Sequence, residues 1–251
     1  MYEAKRTATQ VFIRIVKMQD ELNCKVNPDW TQARNDWERA IWTEAGEAMG
    51  HVNWAWWKKV GTPAFSTNTD LLQFRLEIAD ILHFMISRSI ENAVVKGSYG
   101  AIASEILEWL EMVEDNLKSA PASTQASQAK SIANNLETVA LSALDDKPPH
   151  YQSLFLAAFA SGMNYATVAA YYLGKNFLNV FRQEHGYKEG TYRKEWAGHE
   201  DNVSLAAIIE EFATLYANPD HLMKGIASGE FESYVRRELR KRYMEVFDSA
   251  S

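Results

Sequence analysis

The sequence has little cysteine and no excess of positive charge. Cys24 is the only cysteine, so the chain can form no internal disulfide and no zinc site built from thiolates. This composition fits the reducing environment of the cytoplasm. The formal net charge of −7 argues against a protein that neutralises nucleic-acid phosphates over a broad surface. We therefore expect no nucleic-acid partner, and any basic site must be local.

Long, strongly apolar runs are also scarce. The N-terminus leads into an amphipathic segment, so we expect no secretory signal. Residues 151–174 contain no Asp, Glu, Lys or Arg and match the ~20 residues that a membrane span needs. Most of them are small or weakly polar, which is unfavourable for insertion. We predict a buried or interface helix there and no membrane association.

Alternation typical of β-strands is absent from the sequence, whereas apolar residues recur at helical spacing. This pattern predicts an all-α helical bundle that forms a single domain over residues 1–251, with residues 100–150 as a candidate variable helical insertion. A loop is expected over residues 185–192. The predicted helices cover residues 7–22, 30–59, 70–96, 101–118, a segment ending near 144, 151–182, 203–216 and 230–247.

Two pairs of acidic residues, Glu44 with Glu47 and Glu77 with Asp80, are each three residues apart. On a helix this spacing places both carboxylates on one face. The second pair lies in an apolar run, residues 76–86, where an ionised carboxylate needs a partner. Two antiparallel helices would bring the four acids together around a divalent cation. Oxygen ligands favour Mg²⁺ or Mn²⁺, and such ions also bind substrate phosphates.

A local group of cationic and amide side chains lies between residues 175 and 194. Lys175, Asn179 and Arg182 are spaced by four and three residues, so they share one helical face. Cations near the C-terminal end of a helix also favour the helix dipole, and the cluster alone does not separate this role from ligand binding. In an acidic chain, such a group is what a polyphosphate would require opposite a metal.

Several motifs together resemble the dimeric all-α dUTPases, which belong to the MazG-like nucleoside triphosphate pyrophosphohydrolases. They occur in the expected order and span residues 19–202, and the long match over residues 174–196 is the most specific. The matching motifs are Gln19-Asp-Glu-Leu-Asn23, Glu44-Ala-Gly-Glu47, Trp54-Ala-Trp-Trp-Lys58, Glu77-Ile-Ala-Asp80, His83-Phe84, the run from Gly174-Lys-Asn to Lys-Glu-Trp196, and Glu200-Asp-Asn202.

The resemblance implies an all-α pyrophosphohydrolase fold with a four-helix metal-binding core. It implies hydrolysis of dUTP, and of dUDP, to dUMP by a water that a metal-bound carboxylate activates. This reaction would limit uracil in DNA and supply dUMP for dTMP synthesis. The implied cofactor is Mg²⁺, with Mn²⁺ as a substitute, and the implied partners are a nucleotide substrate and a second copy of the chain. Residues 151–174 are a candidate dimer interface.

The resemblance also assigns site residues in three groups. The metal would be bound by Glu44, Glu47, Glu77 and Asp80, with Glu44 or Glu47 as the general base. The nucleobase would contact Gln19, Asn23, Trp57 and His83. The phosphates would be bound by Lys175, Asn179, Arg182, Lys188, Tyr192, Lys194 and Asn202.

Three other functions remain open from the residues. A dCTP or broader nucleotide pyrophosphohydrolase would use the same chemistry, because an amide can present a donor or an acceptor to the base by flipping. A di-iron carboxylate bundle would need Glu-x-x-His pairs on two helices, and only Asp80 and His83 approach that spacing. A helical interaction protein without activity would use the acids only as solvated faces.

Overall fold

The computed structural model describes residues 2–58, 63–93, 97–119 and 125–248, and it confirms an all-α protein. A two-stranded antiparallel hairpin, β1 (Glu195–Trp196) and β2 (His199–Glu200), is the one piece of sheet in these ranges. The helices are α1 (Tyr2–Val26), α2 (Trp37–Gly50), α3 (Asn68–Glu91), α4 (Tyr99–Ser119), α5 (Gln125–Leu144), α6 (Tyr151–Ala160), α7 (Tyr165–Glu184), α8 (Asp201–Ala213), α9 (Pro219–Ala227) and α10 (Glu230–Asp248).

The predicted second helix, residues 30–59, was too long at both ends. Trp30–Gln32 forms a separate 3-10 turn, and Arg34 adopts a left-handed conformation with φ of 51° before α2 begins. At the other end the chain folds back after α2, where Asn53 donates through its backbone N–H to the Ala64 carbonyl at 2.8 Å. Apolar spacing alone does not reveal these turns.

The predicted third helix was also too long, since α3 ends at Glu91. Residues 94–96 of that prediction lie outside the described part.

The predicted long helix over residues 151–182 is two helices bent by 101°. Gly162, with φ of 85°, lies in the break, and it takes a left-handed conformation that suits glycine. Asn164 then begins α7 through a capping box with Thr167. The break escaped prediction because the sequence is apolar on both sides of it.

Two small elements were not predicted. Helix α9 begins after Asn218, which accepts a hydrogen bond from the backbone N–H of His221, and has Pro219 in its first turn. The pair Asn-Pro before an apolar segment is a helix-start signal that could have revealed it. In the β1–β2 hairpin, Ala197 and Gly198 both have positive φ, as a tight two-residue turn requires.

Helix α3 lies at the centre of the bundle, in contact with α1, α2, α7 and α8. Helix α7 is buried through most of its length, so the charged and amide residues on it are held in a fixed environment. Helices α4 and α5 account for most of the described residues within 100–150, and they pack against α1, α2 and α6. The region that positions both acidic pairs is therefore enclosed by helices on several sides.

The small side chains of residues 151–174 are already buried inside this chain. Ala157, Ala158, Ala169 and Ala170 are all fully inaccessible. A dimer would therefore need a different surface from the predicted one. Among the described residues, no single helix is long and apolar enough to cross a membrane. Only the bent pair α6 and α7, taken together, reaches the required length and hydropathy.

Helices α7 and α8 approach each other closely at Gly174. A Cβ atom at this position would lie 2.7 Å from Cδ1 of buried Ile209. We expect Gly174→Ala to lower the free energy of unfolding by about 1–3 kcal/mol, because overpacking outweighs the better helix propensity of alanine. Chemical denaturation measures the effect. The control is Gly46→Ala in α2, where a Cβ meets open space and the same change should stabilise by up to about 1 kcal/mol.

Candidate active site

Helices α2 and α3 bring three of the four predicted metal ligands together. One carboxylate oxygen each from Glu44, Glu77 and Asp80 lies within 4.8 Å of the others, and we call these residues the acidic cluster. Glu77 is only 8% exposed. Glu47 lies exposed about one turn along α2, outside the acidic cluster but close enough for its charge to raise the pKa of Glu44. The predicted convergence of the two pairs therefore applies to three acids at close range and one beside them.

The electrostatics of the acidic cluster favour the binding of a positive charge. Burial and then the charge of Asp80 raise the pKa of Glu77 to about 8, and burial likewise raises the pKa of Glu44. Both shifts arise because carboxylates in a poorly solvated place resist ionisation together. A bound cation removes this penalty. The donors are all carboxylate oxygens, which fits a hard divalent cation such as Mg²⁺ or Mn²⁺.

Lys175 on α7 connects the acidic cluster to α8. Its Nζ lies 2.7 Å from an oxygen of Asp80 and donates to Oδ1 of Asn202 at 3.2 Å. The residue is 5% exposed, so its charge is balanced mainly by the acids around it. The structure thus places Lys175 beside the acidic cluster, with Asn202 as a second partner.

A second polar network surrounds Asp201, in the first turn of α8. Arg182 donates to both oxygens of this fully buried carboxylate, at 2.8 and 2.7 Å, and Tyr192 donates to it at 2.8 Å. Arg182 also donates to Asn179 and to Asn202, at 3.3 and 3.2 Å. Five of the seven predicted phosphate residues, including Lys175, thus belong to one connected group.

Asp201 is the residue that sequence reasoning left without a role. Its only signal was its place between Glu200 and Asn202 in the matched motif. The structure does not bring the remaining two phosphate candidates into the same group. Lys188 is exposed and lines a groove together with Lys25 of α1. Lys194 is exposed, and its backbone carbonyl accepts from the backbone N–H of Asp201.

Three of the four predicted nucleobase residues meet at the α1–α3 contact. Gln19 donates to Asn23 at 3.0 Å, and both amides donate to Oγ of Ser87, at 3.0 and 2.9 Å. His83 lies one turn before Ser87 on α3. Trp57 is 58% exposed, and its ring contacts within the described part of the chain are with Trp54 and Trp56 and not with the other three.

His83 holds a buried acceptor atom without a partner among the described residues. Its Nδ1 lies 2.6 Å from the Ala79 carbonyl, so Nδ1 carries the proton and Nε2 holds a lone pair. Nε2 is buried and has no partner within the described chain. Burial lowers the pKa of His83 to about 4, so the ring is neutral near pH 7. The ring stacks on Tyr172, with 3.9 Å between centroids.

The acidic cluster contains no histidine, so the described residues do not favour a di-iron site.

The raised pKa of Glu77 makes stability of the metal-free protein depend on pH. The folded state holds this proton more tightly than the unfolded chain, so stabilisation present below pH 4.5 is lost as pH rises toward about 8. The lowered pKa of His83 has the opposite effect on stability, but only between about pH 4 and pH 6.5. With EDTA present, we expect the free energy of unfolding to fall by roughly 1–2 kcal/mol between pH 6.5 and 8. Denaturation of Glu77→Gln should show a weaker decline, and an identical slope would contradict the assignment.

Comparison with known proteins supports the resemblance read from the motifs. A family model described as dUTPase matches residues 12–187, which include the acidic cluster, Lys175, Asn179 and Arg182. A search of curated proteins gives no match. The family match extends over more than half of the chain and ends before β1, so it does not include Asp201 or Asn202. The chain therefore belongs to the all-α dUTPase family and has the dUTP diphosphatase activity of that family.

Proposed function

We propose that this chain hydrolyses dUTP, and also dUDP, to dUMP with Mg²⁺, and that it thereby limits uracil in DNA and supplies dUMP for dTMP synthesis. The observation that carries the proposal is the direct connection between the acidic cluster and the polar network of α7 and α8. Lys175 contacts Asp80 and Asn202 at once. A metal and a polyphosphate need such an arrangement, in which anionic ligands and phosphate donors lie side by side.

The acids divide into ligands and a base. Glu44, Glu77 and Asp80 would hold Mg²⁺, with Mn²⁺ as a substitute, and Glu47 would join them from the edge. When bound, the metal would supply positive charge for the phosphates and would lower the pKa of a water. Glu47 suits the role of general base better than Glu44, since it is exposed beside the acidic cluster while Glu44 lies within it. A proton taken from the attacking water can then leave to solvent.

The phosphate chain would lie along α7 and α8. Lys175, Asn179 and Asn202 present donors next to the acidic cluster, and Arg182 and Tyr192 are fixed there by Asp201. Fixed donors stabilise charge on phosphoryl oxygens without reorganisation during the reaction. Lys188 and Lys194, both exposed, would complete this site from the segment after α7.

The polar atoms near His83 support uracil as the preferred base. Nε2 of His83 is an acceptor, and Nδ2 of Asn23 has one N–H that is not used within its network. Uracil presents an N3–H donor flanked by carbonyl acceptors, which complements this pair. Cytosine presents a lone pair at N3, so two acceptors, N3 and Nε2 of His83, would oppose each other. Gln19 would hold Asn23 in place. Trp57, which lies in the exposed segment after α2, would cover the base from that side. The family resemblance also supports a homodimer.

The base preference can be measured with a nucleotide panel. With Mg²⁺, we expect kcat/KM for release of dUMP from dUTP to exceed that for dCTP by at least about 100-fold, because a buried polar site rejects a mismatched base. Activity on dUDP should also be detectable. EDTA should remove the activity and added Mg²⁺ should restore it. Equal rates with dUTP and dCTP would favour the broader nucleotide pyrophosphohydrolase instead.

The metal assignment is tested by Asp80→Asn. This change removes an anionic ligand and the partner of Lys175 while it keeps the shape of the side chain, so kcat/KM should fall by about 100-fold or more. Titration calorimetry should show weakened Mn²⁺ binding, and the thermal transition should remain cooperative. Glu108→Gln, a change of an exposed acid on α4, is the matched control and should alter neither property. Full activity of Asp80→Asn would show that the acids are only a solvated face.

A further inference from the structure

We infer that Ser87 is a positioning residue that sets the preference for uracil over cytosine by fixing the amide orientations of Gln19 and Asn23. The inference rests on the proposed function, since it concerns how the same site reads its base. Ser87 is fully buried in α3, and none of the matched motifs contains it. Its hydroxyl is the point where α1 and α3 exchange side-chain hydrogen bonds.

The proton of the Ser87 hydroxyl has a fixed direction. Oγ lies 2.8 Å from the backbone carbonyl of His83, and a carbonyl can only accept. The hydroxyl must therefore donate to this carbonyl, which is the usual bond of a serine within a helix. Its two lone pairs remain for other partners, so every side chain that approaches Oγ must donate to it.

This constraint determines both amides. Gln19 and Asn23 each approach Oγ of Ser87, and each must present its NH₂ group and not its oxygen. The second N–H of Gln19 donates to Oδ1 of Asn23, and Oε1 of Gln19 accepts from the hydroxyl of Tyr172 at 2.6 Å. Asn23 is then left with one N–H and one lone pair, while both N–H groups of Gln19 are used.

Without Ser87 the same chain of hydrogen bonds can reverse. Tyr172 can accept as well as donate, and each amide can rotate by half a turn, so Tyr172, Gln19 and Asn23 could exchange donors and acceptors together. Among Tyr172, Gln19, Asn23 and Ser87, the Ser87 hydroxyl is the group whose proton a backbone carbonyl holds, so Ser87 distinguishes the two directions. Reversal would turn the oxygen of Asn23 toward the position of its NH₂ group, which suits the amino group of cytosine.

The test compares dUTP and dCTP in Ser87→Ala. We expect the ratio of their kcat/KM values to fall by at least about tenfold, through a higher KM for dUTP or a gained activity on dCTP. The kcat for dUTP should stay near that of the unchanged protein, since the acidic cluster is untouched. Ser89→Ala is the matched control: Ser89 lies on the same helix, bonds to Tyr151 at 2.8 Å, and should leave the ratio unchanged.

The outcomes separate this inference from the proposed function. If the unchanged protein does not distinguish dUTP from dCTP, the proposed base preference is wrong. If it does and Ser87→Ala loses activity equally on both nucleotides, Ser87 is only structural and the inference is overturned. If Ser87→Ala does not fold, Ser87→Cys keeps a similar shape with weak hydrogen bonds and must show the lower ratio. Ser87→Thr keeps the hydroxyl and should retain the ratio.

Discussion

The burial of negative charge between α2 and α3 is the constraint on which the rest of the site depends. Glu77 and Asp80 lie on a helix that is apolar on most of its surface, and Glu44 faces them from α2. Ionised carboxylates in such a place destabilise the fold unless positive charge is brought to them. The chain supplies part of that charge as Lys175, whose own burial is offset by the ion pair with Asp80, the nearby Glu44 and Glu77, and the hydrogen bond to Asn202. In the proposed function a divalent cation would supply the rest, which would link the stability of this region to metal binding.

The same principle organises α7 and α8. Asp201 is fully inaccessible, and Arg182 and Tyr192 are the groups that satisfy it. Separating one member of such a network leaves a buried polar group unpaired, and this costs more free energy than the intact network contributes. The members therefore stay paired and hold each other in place. This arrangement fixes Asn179 and Asn202 beside Lys175 before any ligand arrives. Preformed donors are what binding of a highly charged phosphate chain requires, because no energy is then spent on orienting them.

The sequence allowed the helical class, most helices and the acidic cluster to be predicted, because spacing along a helix determines which side chains share a face. It did not reveal the turns at Arg34 and Gly162, since apolar residues continue across both, nor the role of Asp201, which depends on partners distant in sequence. Glu47 is three residues from Glu44 and shares its helical face, but it lies outside the acidic cluster. Helical periodicity gives the direction of a side chain, whereas the tilt between α2 and α3 decides its distance from the facing helix.

One side of α3 joins the two halves of the proposed reaction. Glu77, Asp80, His83 and Ser87 follow each other at intervals of three or four residues, over a rise of roughly 15 Å. The first two face the metal side with Lys175, and the last two face α1 and Tyr172. A rigid helix thus sets the distance between the reacting phosphates and the base. A change that shifts α3 along its axis would alter both hydrolysis and base recognition. A change confined to Ser87 would affect only base recognition, because Asp80 and Glu77, about two and three turns away, keep their own partners.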